Sequence, residues 1–181
     1  LGAGPSLDDA WDAVRDARVL KLAVDTALEP MQSRGLSPHL AFLVDSQLEN
    51  ARLVDRVHAP DVNLVVSLEV HPKVYDRNWR NLIVASCDQG LLTWLERRGN
   101  FQAGYLKQGG SVVTCAFDLA RQAGCSPIYL GGVDLSFSGH RVYCRGTAYE
   151  RQAVASPSRF ASAAQAMIQM RQERTERTVA G

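Results

Sequence analysis

Short apolar runs alternate with amphipathic stretches along the whole chain, and several of the runs end in an acidic or hydroxyl side chain. Residues 20–24, 40–44, 63–70 and 81–87 read as buried strands, because each is a brief apolar block bounded by turn residues. Between them the apolar period changes. After Gly2-Ala3-Gly4-Pro5-Ser6, the residues Leu7, Ala10, Trp11 and Val14 recur at helical spacing, with Ser6 as a cap and Asp9 three residues on. Further helices are expected after Asp25-Thr26-Ala27 to near Gly35, over 46–57 and over 90–98, and residues 97–107 read as a polar, flexible connection. Gly109-Gly110-Ser111 opens the longest helical period, which closes at Ala123-Gly124. Pro127-Ile128-Tyr129-Leu130 then reads as a short buried strand that delivers Asp134. A long loop over 135–156 leads to Ser156-Pro157, a cap and first-turn proline for a last helix with Phe160, Ala164, Met167, Ile168 and Arg171 on one stripe. Strands alternating with helices predict an α/β fold, a Rossmann-like three-layer sandwich with a mostly parallel central sheet.

Composition narrows the class. At 181 residues the chain is one domain with room for its own core, and residues 1–181 are read as a single nucleotide-binding unit. The opening Leu1-Gly2-Ala3-Gly4 resembles the exit of a strand, which suggests a piece of a longer protein. A net charge of +1 gives no field to recruit nucleic acid or an acidic membrane. No run reaches the roughly 18 apolar residues of a membrane span, and no signal peptide is recognisable. Cys87, Cys115, Cys125 and Cys144 have no zinc-type spacing, and three of them lie in apolar runs, as buried reduced thiols would. The expectation is a cytoplasmic domain.

The candidate chemistry gathers at the ends of the apolar runs. In parallel sheets ligands sit outside the carboxyl ends of the strands, where helix starts present free N–H groups. Gly2, Gly4, Pro5 and Ser6 form one such turn, and Gly109, Gly110 and Ser111 another. Either can cradle a phosphate, and either is also what a tight turn needs on conformational grounds alone. Asp25 and Thr26 close the first run, Asp45 the second, and Asp134 the last. A single aspartate there is commonly a helix cap; the same device three times points to an organised crevice. His71, held extended by Pro72, stands at another strand end as a base, a ligand contact or an ordinary loop histidine. The 135–156 loop carries His140, Arg141, Tyr143, Arg145 and Tyr149, groups suited to phosphate oxygens and to proton transfer.

Taken in order, Gly2-Ala3-Gly4-Pro5-Ser6-Leu7, Val24-Asp25-Thr26-Ala27, Leu43-Val44-Asp45, Gly110-Ser111-Val112, Leu130-Gly131-Gly132-Val133-Asp134-Leu135 and Ser138-Gly139-His140 resemble one superfamily. It contains the bacterial motility accessory factors that glycosylate flagellin and the archaeal 6-hydroxymethylpterin pyrophosphokinases. The chain is more distantly similar to bacterial sialyltransferases that use CMP-activated sugars. The resemblance implies nucleotide contacts at Gly4, Pro5, Ser6, Gly110 and Ser111, with Tyr143 against the leaving phosphate. Where the sialyltransferases place a histidine base before their final helix, this chain has Ala155-Ser156-Pro157-Ser158, and it carries Asp25 where they carry asparagine. His140 matches the histidine that closes the Asp-Leu loop of the motility accessory factors.

Three functions are therefore expected to compete. In the first, a nonulosonic sugar passes from a CMP-activated donor to serine or threonine of flagellin, with His140 as base, Asp45 or Asp134 orienting it, and Tyr143 and Arg145 on the phosphate. In the second, diphosphate passes from ATP to a pterin alcohol, with magnesium on Asp25, Asp45 and Asp134. The third is a nucleotide-binding module without turnover.

Overall fold

The structure, a computed structural model, describes residues 1–87, 90–101, 103–137 and 141–155, with 165, 168 and 172 beyond them. Five strands, β1 (Leu22–Val24), β2 (Leu40–Leu43), β3 (Asn63–Val66), β4 (Asn81–Cys87) and β5 (Gly104–Leu106), form one all-parallel sheet in the order β1-β2-β3-β4-β5. Alternation along the strands divides the core in two. Ala41, Leu43, Leu64 and Val66 face α1 (Leu7–Asp16), α2 (Asp25–Ser33) and α3 (Leu48–Arg52), and pack with Leu7, Trp11, Leu28, Met31 and Ala51. On the other face Phe42, Val44, Val65, Ala85, Cys87 and Leu106 pack with Cys115 and Ala116 of α5 (Val112–Gln122). Covering on both faces is why β2 and β3 are continuous apolar blocks rather than alternating ones. Two further helices are α4 (Gly90–Gly99) and α6 (Ala148–Ala155). None of the helices is long and apolar enough to cross a membrane, among the described residues.

Several sequence expectations change here. The connection after α4 contains β5, whose three residues pair with Ala85, Ser86 and Cys87. The 63–70 run is strand only to Val66; Val70 then turns back on Ser67, and Pro72–Val74 is a single 3-10 turn. The 46–57 helix shortens to α3 followed by turns. The 127–130 segment is not a buried strand: Tyr129 is 75% and Leu130 60% exposed. The 135–156 loop contains α6. The last helix expected from Ser156 lies outside the described residues, apart from isolated positions.

Leu1–Gly4 continues the sheet's hydrogen bonding beyond β1. The Leu1 amino group donates to Leu22 O (2.6 Å) and Val24 N–H to Leu1 O (3.1 Å). On its far side Gly2 N–H donates to Gly131 O (2.9 Å) and Gly4 N–H to Gly132 O (2.8 Å). The chain thus returns after α5 to lie beside its own first residues, and this return places Asp134 against the start of α1.

Candidate functional site

All five strands run the same way, so their carboxyl ends share one edge of the sheet, and most of the candidate residues lie along it. Asp25 leaves β1 and is 5% exposed. Its carboxylate accepts Thr26 N–H (2.6 Å). Burial pushes its pKa up from 3.8 to about 6, and the charge of nearby Asp45 adds to the rise. Asp45, half-buried beyond β2, accepts Gln47 N–H (3.0 Å) and so shapes the turn into α3. The pair is a like-charge couple at adjacent strand ends.

The two glycine turns have different fates. At the start of α1, Ser6 occupies the cap position without a side-chain cap bond. Instead Asp134, 128 residues away, accepts Ser6 N–H (2.9 Å). A side chain at Gly4 would run into the Asp134 carboxylate, and one at Gly2 into the Gly132 carbonyl. Buried Gly2 and Pro5 therefore serve close backbone packing, and the N–H groups of Gly2, Gly4 and Ser6 already have acceptors. An anion position at a helix start is filled here by the protein's own carboxylate.

The start of α5 is open. Gly109 N–H donates to Thr114 Oγ1 (2.8 Å), and Thr114 donates to Ser111 O, which tightens the turn. Gly110 has φ +82°, a conformation glycine adopts without strain, and Gly109, Gly110 and Ser111 are all exposed. Among the described residues no acceptor stands on the N–H groups of Gly110, Ser111, Val112 or Val113. A Cβ at Gly2 would come within 3.3 Å of Val113 Cγ2, so this open helix start adjoins the 1–4 segment.

The loop before α6 is anchored rather than loose. Arg141 Nη1 bonds Asp8 Oδ2 (2.5 Å), Arg145 N–H donates to Asp8 Oδ1 (3.1 Å), and Cys144 N–H to Ala3 O (2.8 Å). Arg34 lies 3.8 Å from Asp8 and over the Trp11 ring at 4.4 Å. Tyr143 stacks on Tyr149, with centroids 4.9 Å apart, and packs on the first core. Asp8 and Arg34 were not singled out from the sequence, because a helix-surface acid and a helix-end arginine carry no local signal of a long-range pair. His71 is a local cap: its Nδ1 accepts Lys73 N–H (3.3 Å). His140 lies outside the described residues.

The structure thus brings Gly2, Gly4, Pro5, Ser6 and Asp134 together, with the α5 start beside them and Asp25, Thr26 and Asp45 at the adjoining strand ends. Asp25, Asp45 and Asp134 do not make one cage. Among the described residues no group of three or more histidine, cysteine, aspartate or glutamate side chains is placed to hold a metal ion.

Residues 1–140, which take in all five strands and α1 to α5, match the family described as 6-hydroxymethylpterin diphosphokinase MptE-like. An uncharacterized protein of Treponema pallidum (strain Nichols) is 31% identical over 145 residues, covering 74% of this chain and 37% of that protein. The chain therefore spans well under half the length of this curated relative. No solved structure matches. The match covers most of the chain, and with it the whole parallel sheet and the crevice at its carboxyl edge: the chain belongs to the 6-hydroxymethylpterin diphosphokinase MptE-like family.

Proposed function

We propose that this domain is a glycosyltransferase of the motility accessory factor type. It takes a nonulosonic sugar from a CMP-activated donor and places it on serine or threonine hydroxyls of flagellin. The observation that carries this reading is the open start of α5 beside the sheet's carboxyl edge. Its unsatisfied N–H groups and the positive end of the helix dipole suit one phosphate, and glycines at 109 and 110 let that phosphate approach the backbone. A nucleoside monophosphate leaving group needs this one anion site, and stabilising it is the main demand of the transfer. Asp45, half-exposed nearby, is a carboxylate for orienting the base. In this reading His140, which matches the histidine closing the Asp-Leu loop of the motility accessory factors, is the base.

The Asp25–Asp45 pair favours a second reading, in line with the family description: diphosphate transfer from ATP to 6-hydroxymethylpterin. Magnesium is commonly held by one or two carboxylates plus substrate phosphates, and these two residues are the ones that would hold it. The ion would neutralise phosphate charge during transfer.

Titration calorimetry separates the readings. CMP is expected to bind without metal, and a CMP-activated nonulosonic acid to add the sugar's mass to flagellin. Ser111→Asp keeps a good helix cap but puts a carboxylate where the phosphate sits, so CMP affinity should fall at least about tenfold. Binding only of ATP, lost on chelation and on Asp45→Asn, would establish the pyrophosphokinase instead; no binding of either nucleotide would overturn both.

A further inference from the structure

Two buried thiols meet behind the candidate site. Cys87 is the last residue of β4 and is 2% exposed; Cys115 lies in the first turns of α5 and is fully buried. Their Sγ atoms are 3.9 Å apart, within the second core, and both are free thiols. They come from segments 28 residues apart, so the fold and not local sequence unites them. The other two cysteines lie elsewhere: Cys125 is partly exposed past the end of α5, and Cys144 is buried in the first core.

We propose that Cys87 and Cys115 are a redox-active pair that a peroxide oxidises to an intramolecular disulfide joining β4 to α5. A disulfide needs the sulfurs about 2 Å apart, so the 3.9 Å gap has to close before the bond can form. Cys87 ends β4 at the sheet's carboxyl edge and is the less enclosed of the two, while Cys115 is sealed within α5, so Cys87 is the sulfur assigned the attack. Its thiolate attacks one peroxide oxygen, the O–O bond breaks, and the departing hydroxide takes a proton to become water. The resulting Cys87 sulfenic acid is then displaced by Cys115: the S–S bond forms, the S–O bond breaks, and hydroxide leaves with the Cys115 proton as a second water. The two thiols lose two electrons in total and the peroxide gains them.

The link would tie α5 to the sheet only a few residues after Ser111. Its formation does not depend on what the site binds.

The test uses the whole chain carrying Cys125→Ser, which removes the partly exposed thiol. Treatment with hydrogen peroxide should cut the thiols titratable after denaturation from three to one, and dithiothreitol should restore all three. Peptide mapping should find Cys87 joined to Cys115, and the same link in the unsubstituted protein. Adding Cys87→Ser should abolish the loss. A stable count of three, a link involving Cys144, or over-oxidation of Cys87 without a link would overturn the proposal.

Discussion

Replacing Asp25 with asparagine is expected to raise the melting temperature at pH 7 by roughly 6–12 °C, the shift that about 3 kcal/mol produces in a domain of this size. The energy follows from a pKa raised from 3.8 to about 6, chiefly because burial strips the carboxylate of water. Asparagine keeps an oxygen to accept Thr26 N–H and carries no charge to desolvate. The sign follows from where the proton sits. Below pH 3.8 the carboxyl is protonated folded and unfolded, and it contributes no penalty. Between 3.8 and about 6 the folded state holds a proton that the unfolded state has lost, so wild-type stability declines as pH rises. Above about 6 both states are ionised and the penalty stays constant. Melting curves of both proteins from pH 3.5 to 8 should therefore coincide in acid, diverge through this window and run parallel beyond it. A constant offset across the range would refute the account. Under the second reading, in which Asp25 and Asp45 would hold magnesium, the same variant should also weaken magnesium-dependent ATP binding.

What the sequence made legible follows from burial. Runs covered on both faces, such as 40–44 and the first half of 63–70, announce themselves as apolar blocks, whereas 81–87 is buried only in its second half, with Leu82 and Ile83 exposed. The run at 20–24 announces itself only in part, since Leu20 is half exposed and β1 starts at Leu22. The helices α1 and α5 were readable because each buries one stripe, with Leu7 and Trp11 in one and Cys115 and Ala116 in the other. Strand β5 was not, because Gly104 and Tyr105 are exposed and the strand is held by pairing with β4 rather than by its own apolar content. The opposite error arose at Ile128-Tyr129-Leu130, an apolar run that is largely exposed rather than buried in the sheet.

The site divides in the same way. The repeated aspartates at strand ends were visible one at a time, because a strand-to-helix junction is a local feature. Which partner each one serves was not. Asp134 looked like a third crevice acid; its carboxylate caps α1 from 128 residues away. Two glycine turns with similar composition also looked equivalent, and only tertiary pairing distinguishes the filled start of α1 from the open start of α5.

That filled start supplies a second large effect. Gly132→Ala is expected to lower unfolding stability by more than about 3 kcal/mol, whereas Gly35→Ala should cost only about 1–2 kcal/mol. The two glycines have nearly the same positive φ, +67° and +69°, so both variants place a side chain on a left-handed φ. They differ in what surrounds the new methyl group. At Gly35 nothing lies within 4 Å, while at Gly132 a Cβ would sit 2.5 Å from the Gly2 carbonyl oxygen and 3.0 Å from Leu7 Cβ. The obstacle at Gly132 is backbone, which cannot rotate away as a side chain can. Relief would require the 131–134 segment to part from Leu1–Gly4, breaking the bonds from Gly2 and Gly4 to the Gly131 and Gly132 carbonyls and drawing Asp134 off Ser6. Urea unfolding of the two variants beside wild type measures the difference directly. Equal losses would mean that the close approach of the two glycine segments contributes nothing, and that the start of α1 stands without its remote cap.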